Sequence, residues 1–139
     1  GGGIYNLYML ASAHHAKSLP VCVHEFGHSF AGLADEYDYG DGTDYYHKEV
    51  EPWEKNITTL KDFKSKWADM IEKNTPLPTP PADDKRMQYT RVGLFEGAGY
   101  MEKGVYRPAQ ECRMKSNDVP AFCPVCQRAT EQMIFFLTE

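Results

Sequence analysis

No run of eighteen apolar residues occurs anywhere in the 139-residue chain, and its amino end carries no charged-then-apolar leader. Neither a membrane-spanning helix nor a secretory signal is therefore legible. Basic side chains are outnumbered, 15 against 20 acidic ones, for a formal net charge of -5. Without a basic stripe to neutralise phosphates, nucleic acid is not a favoured partner. Aliphatic residues are scarce as well. Eight Leu, four Ile and seven Val, with seven Phe, make up under a fifth of the chain, a fraction that would border on disorder if the net charge were high. It is modest, and nine Tyr, six Met and two Trp add burial area. The shortfall points instead to a loop-rich single domain or to a core completed elsewhere. There is no initiator Met before Gly1-Gly2-Gly3, so residues 1–139 are expected to be one (sub)domain cut from a longer parent. The missing leader then says nothing about where that parent resides.

What is present sorts into short elements. Ile4 to Leu10 (IYNLYML) has the length and composition of one strand. Residues 19–32 are expected to form a mostly buried helix: Pro20 fits a first turn after Ser18 or Leu19, and Gly32 is a typical stop. Residues 35–54 hold eight acids and four tyrosines against the single Lys48, and read as a loop. Phe63, Trp67, Met70 and Ile71 recur at helical spacing, predicting an amphipathic helix over 59–73. The stretch 75–84 (TPLPTPPADD) is a stiff connector. Extended segments at 91–96 and 104–108, separated by Gly97-Ala98-Gly99, predict a small hairpin. From Phe122 to Leu137 the apolar residues follow a 3,4 spacing, a clear helix signal.

The chemistry concentrates in His24-Glu25-Phe26-Gly27-His28. Residues four apart on a helix share a face about 6 Å apart along the axis, so both imidazoles can reach one metal ion. Glu25, beside the first of them, is placed to take a proton from water at the metal and return it to a leaving amine. Zn²⁺ is the expected ion, since it accepts imidazole nitrogen, has no redox chemistry and acidifies bound water to roughly pKa 7. With five His and eleven Glu in the chain, the three fixed letters would arise by chance about 0.01 times, so two satisfied core histidines are the weaker reading. A catalytic zinc takes three protein ligands. Candidates for the third are Asp35, Glu36, His14 and His15. Asp35 is preferred, because Gly32 frees the backbone to leave the helix and three residues suffice to turn back. Glu36 is its nearest competitor.

These residues carry a resemblance. His24-Glu25-x-x-His28 through Gly32-Leu33-Ala34-Asp35-Glu36-Tyr37 resembles the metzincin clan of zinc endopeptidases, and HEFGHSFAGLADEY, GGGIYN, GLFEGAGY, Cys112-Arg113-Met114 and Phe122-Cys123-Pro124-Val125-Cys126 resemble the bacterial IgA-peptidase family within it. Gly32 and Asp35 stand one residue later than the clan's spacing, with the interval between them kept. The resemblance implies an α+β, metzincin-like catalytic domain: a sheet strand, the active-site helix, and a loop-rich lower subdomain with a C-terminal helix, the remaining strands lying upstream. It implies zinc held by His24, His28 and Asp35, hydrolysis of a polypeptide bound beside an edge strand, and Met114 in a tight turn beneath the metal. Tyrosines such as Tyr37 are candidate donors to the oxyanion. A bacterial, extracytoplasmic location (secreted, periplasmic or cell surface) follows from the same likeness.

Four cysteines remain: Cys22, Cys112, Cys123 and Cys126. A disulfide from Cys112 to Cys123 or Cys126 would pin the Met114 turn to the last helix and imply an oxidising compartment. Only one Cys-x-x-Cys exists, so a second, structural zinc ranks below the disulfide, and Cys22 reads as a buried free thiol. The acids of 38–44 miss the EF-hand spacing, while Asn56-Ile57-Thr58 fits a glycosylation acceptor. Two other functions compete with an endopeptidase: a metal- or substrate-binding module without turnover, and a small-molecule metallohydrolase.

Overall fold

The computed structural model covers residues 1–139 and is an α+β arrangement of two small antiparallel hairpins and three helices. The first hairpin pairs β1 (Gly2–Ile4) with β2 (Tyr8–Leu10) in the register Gly3 to Met9. The single strand expected over Ile4 to Leu10 is thus folded back on itself. Asn6 sits at φ 55, a left-handed conformation that a short polar side chain tolerates, and it bends the run at its middle.

Helix α1 (Ser18–Ala31) carries the His-Glu-x-x-His stretch. It ends at Gly32, whose φ of 60 makes the stop. The Leu33 N–H reaches back to the Gly27 carbonyl at 3.1 Å, which turns the chain under the helix. Only one face of α1 is buried, through His24, Glu25, Gly27 and Ala31, whereas Leu19 is exposed and Cys22 half-buried. The expectation of a mostly buried helix with a buried Cys22 is corrected accordingly. The helix lies over the body and beneath a hairpin, not inside a core.

Residues 59–73 do not form an amphipathic helix. Two 3₁₀ turns, Phe63–Ser65 and Ala68–Met70, stand in its place. The Lys66 carbonyl, which an α-helix would give to residue 70, instead accepts from the Arg128 guanidinium at 2.6 Å. The Lys66 ammonium is buried against the Pro52 and Glu54 carbonyls. Trp67 is fully buried beside it and donates to the Gly93 carbonyl at 2.8 Å. With the Lys66 carbonyl and ammonium both held by partners outside the segment, the i to i+4 ladder is broken at its middle.

A short helix α2 (Lys85–Thr90), which the sequence pattern did not reveal, starts after the proline connector with the Asp84 carboxylate accepting from the Met87 N–H at 2.8 Å. The second hairpin, β3 (Phe95–Ala98) and β4 (Met101–Arg107), overlaps the expected one but is shifted toward its tip: residues 91–94 lie outside β3, Ala98 is in the strand and not in the turn, and β4 begins three residues earlier than expected. Its tip is Gly99-Tyr100, both residues at positive φ, as in the mirror-image turns that suit hairpin twist. Helix α3 (Pro124–Thr138) begins with Cys123 as N-cap and Pro124 in its first position. The main core joins α1, α3, Trp67 and the 109–126 segment, and a smaller cluster joins Ala34 and Ile57 to the second hairpin.

No disulfide is formed: all four cysteines are free thiols. The sulfurs of Cys112 and Cys126 lie 3.7 Å apart, against about 2.05 Å for a covalent bridge. With Cys123 they gather around the Glu36 carboxylate instead of pairing. The bridge that implied an oxidising compartment is absent. Nor does Asn56 act as a glycosylation acceptor in the folded chain. It is fully buried, exchanges two 2.8 Å hydrogen bonds with the Ala34 backbone, and donates to Glu36 at 2.9 Å. No helix of the protein is long and apolar enough to cross a membrane.

Candidate active site

One turn of α1 aligns His24 and His28, and the reversal at Gly32 returns Asp35 to them. The His24 and His28 Nε2 atoms are 3.0 Å apart, and Asp35 Oδ1 lies 2.9 Å from the first and 3.2 Å from the second. Each imidazole spends its other nitrogen on the backbone: His24 Nδ1 meets the Arg113 carbonyl at 2.9 Å and His28 Nδ1 the Leu33 carbonyl at 2.6 Å. A carbonyl can only accept, so in the neutral rings the protons sit on Nδ1 and the Nε2 lone pairs face inward. Two lone pairs and a carboxylate oxygen thus converge on one point. Asp35 Oδ1 is buried with no hydrogen-bond partner. Three acceptors at such separations repel unless a proton or a cation lies among them. A tetrahedral ion with 2.0 Å ligand bonds would space its ligands about 3.3 Å apart, so this donor set fits a divalent metal.

Proton occupancy responds as this crowding requires. Burial pulls His28 down, but the hydrogen bond and charge of Asp35 raise it above its ordinary 6.5. Burial pushes Asp35 up, yet the imidazoles, when either carries a proton toward Oδ1, and the hydrogen bond from Tyr100 hold its carboxyl well below the usual range.

Glu25 is buried on the same face of α1 and opens, with the three convergent groups, on a cleft of about 310 Å³. Gly1 to Gly3, Tyr37 and Tyr100 form its other walls. Strand β1 crosses so close to α1 that a Cβ on Gly3 would stand 2.8 Å from the Glu25 carbonyl oxygen. The opening glycines are therefore part of the site. With Tyr100, which also lines the cleft, and Asn56, which braces Ala34 and Glu36, they are residues of the site and its support that the sequence pattern did not reveal.

Tyr100 donates to Asp35 Oδ2 at 2.5 Å. Its backbone is held at φ 68, where a bulky residue is rare. Strain of this kind persists only where the surroundings fix it, and here the amide and carbonyl of Tyr100 bond to Tyr37 and Tyr39. Tyr37 borders the cleft, and burial together with the nearby Asp35 charge keeps its hydroxyl protonated.

Beneath the site, residues 112–116 turn tightly, with Lys115 and Ser116 both donating to the Cys112 carbonyl. The turn serves three neighbours. Arg113 offers His24 its carbonyl, the Met114 carbonyl accepts from the Glu36 N–H at 2.9 Å, and the fully buried Met114 side chain lies against Gly27. A Cβ on Gly27 would meet the Met114 sulfur at 2.6 Å.

The structure therefore brings His24, His28, Asp35 and Glu25 together and seats Met114 below them. It does not bring the remaining ligand candidates. His14 and His15 are exposed on the turn before α1, where His15 accepts from Lys17. Glu36 faces away from the imidazoles, because successive side chains of an extended segment point to opposite sides. It enters a fully buried cluster with Cys112, Cys123 and Cys126. Burial pushes the Cys112 and Cys126 thiols up, whereas Cys123, buried as deeply, is drawn down to about 6 by hydrogen bonds from those two sulfurs. The acids of 38–54 gather into no third cluster of this kind.

No curated protein matches the chain. A model of the family described as IgA Peptidase M64 matches residues 1–91 and 83–134. The matched segments include both the His-Glu-x-x-His helix and the Cys-rich turn, and the chain belongs to this peptidase family.

Proposed function

We propose that the chain is the catalytic part of a zinc-dependent endopeptidase of metzincin type, with His24, His28 and Asp35 as metal ligands and Glu25 as the proton carrier. The convergence of the two Nε2 lone pairs and Asp35 Oδ1 within 3.2 Å of one another carries the reading. When bound there, a Zn²⁺ ion supplies Lewis acidity, polarising the scissile carbonyl and making water acidic near pH 7.

The chain's own residues do the rest. Glu25 accepts a proton from the attacking water and delivers it to the leaving amine nitrogen. Tyr37, kept protonated beside Asp35, donates to the developing oxyanion. Tyr100 is occupied in orienting Asp35. The substrate is an extended polypeptide lying along the cleft wall made by the opening glycines.

The test is hydrolysis of unfolded casein. Cleavage should stop with a chelator, return with zinc and vanish in Glu25→Ala. Metal binding without turnover, even in the full-length parent, or turnover of small esters and amides only, would overturn the reading.

A further inference from the structure

We propose that Glu36, Cys112, Cys123 and Cys126 form a second metal site, closed and structural, for a thiophilic divalent cation such as Zn²⁺. The four ligand atoms all lie within 4.8 Å of one another, and all four residues are fully buried. The Cys112 and Cys126 sulfurs are 3.7 Å apart and Cys126 Sγ is 3.1 Å from Glu36 Oε1. A tetrahedral Zn²⁺ with 2.3 Å bonds to sulfur separates two thiolates by about 3.8 Å. The sulfurs therefore keep the spacing of co-ligands and not that of a disulfide.

A second observation points to a ligand independently of the cluster. Glu36 Oε2 is buried and has no hydrogen-bond partner, although Oε1 accepts from Asn56. A carboxylate oxygen left unpaired among sulfurs is costly unless a cation faces it. The surroundings are those of metal-bound thiolates. Cys112 Sγ accepts from the Met114 N–H at 3.5 Å and from the Cys123 N–H at 3.3 Å. Cys123 caps α3 and Cys126 lies in its first turn, where the helix amides favour negative sulfur. Three thiolates and a carboxylate around Zn²⁺ leave a negative net charge, and buried Arg107 lies within electrostatic reach of Glu36 and Cys112.

Four protein ligands fill a tetrahedral ion, so the site offers no position for a substrate and its role is to hold. It ties three distant parts of the chain at residues that adjoin the cleft site. Glu36 follows Asp35, and Cys112 leads into the Arg113 carbonyl that orients His24 and into Met114.

The experiment is metal counting and Co²⁺ absorption on the full chain purified under reduction with zinc supplied. Two zinc ions per chain are expected. The double variant His24→Ala/His28→Ala should keep one. Its Co²⁺ form should show the near-ultraviolet sulfur-to-cobalt band, and Cys123→Ser/Cys126→Ser should lose that band. Should the cysteine variant fail to fold, the band in the unsubstituted Co²⁺ chain decides. Its absence, or a Cys112 disulfide in zinc-supplied protein, overturns the proposal. A single ion that disappears in the histidine variant overturns it while sparing the peptidase reading. A single ion that survives there does the reverse.

Discussion

Asp35 and Glu36 are consecutive, yet they enter two clusters that differ in every respect but their suitability for a metal. Asp35 joins two imidazoles beside an open cleft, with Glu25 in the same wall. Glu36 joins three sulfurs in a compartment with no exposure at all. Openness separates chemistry from scaffolding: a metal with a free position can act on a substrate, and one enclosed by four side chains can only hold the chain. Two acids of the same charge enter opposite surroundings because an extended backbone alternates its side chains.

The sharpest way to break this comparison is to neutralise Glu25. Glu25→Gln keeps the shape and removes the proton carrier, so kcat/KM on an unfolded polypeptide should fall by about 10²–10⁴-fold, the usual worth of a general base. Zinc content should not change. A fall in bound zinc would make Glu25 a ligand and would erase the distinction between the groups that hold and the group that reacts.

The adjacent acids come next. Asp35→Ala should weaken zinc binding at the cleft by more than the roughly 10–100-fold that outer-shell changes cost, with activity lost in parallel. Glu36→Gln should leave the cleft metal in place and instead lower the melting temperature, as followed by circular dichroism. Equal effects of the two on cleft metal would show that the alternation does not partition them. One step outside the ligands, Tyr100→Phe removes the 2.5 Å bond to Asp35 and should cost about 10–100-fold in zinc affinity or activity, measured by competition with a chromophoric chelator. Asn56→Ala acts on the scaffold side. It strands the Ala34 amide and carbonyl and one Glu36 oxygen, for about 1–3 kcal/mol of stability in denaturant unfolding.

What the sequence discloses is what short-range spacing encodes. His24 and His28 are one helical turn apart, Gly32 ends the turn, and Asp35 returns within three residues, so the cleft trio can be read along twelve consecutive positions. The periodicity of α3 is equally local. The thiol cluster joins residues 36, 112, 123 and 126, and nothing in a linear reading puts Glu36 among the cysteines. Cysteine spacing alone suggests a bridge. Tyr100 is hidden for a similar reason: its role comes from the strained tip of a hairpin that meets residues 35–39 across the fold. The false helix over 59–73 shows the converse, where a spacing that suits a helix is overridden because Arg128 and two carbonyls take the groups of Lys66.

The smallest effect concerns pH and separates metal from proton at the same three atoms. In the metal-free chain His28 is raised above 6.5 by Asp35, so their pairing is fully stabilising below 6.5 and fades as pH rises through the folded value. Asp35 is held below its ordinary 3.8, so its contribution is present above that value and is lost only as acid approaches the depressed one. Between those limits the proton on His28 substitutes for the cation. Zinc requires that proton to leave, so binding should release protons and tighten as pH climbs past the raised His28 value. Melting temperatures with and without zinc should therefore lie close together near pH 5 and separate by pH 8, and calorimetric binding heats should vary with the ionisation enthalpy of the buffer near neutrality. A zinc-dependent gap that is constant over this range would mean that the imidazole titrates outside it, and that no proton stands in for the cation at these three atoms.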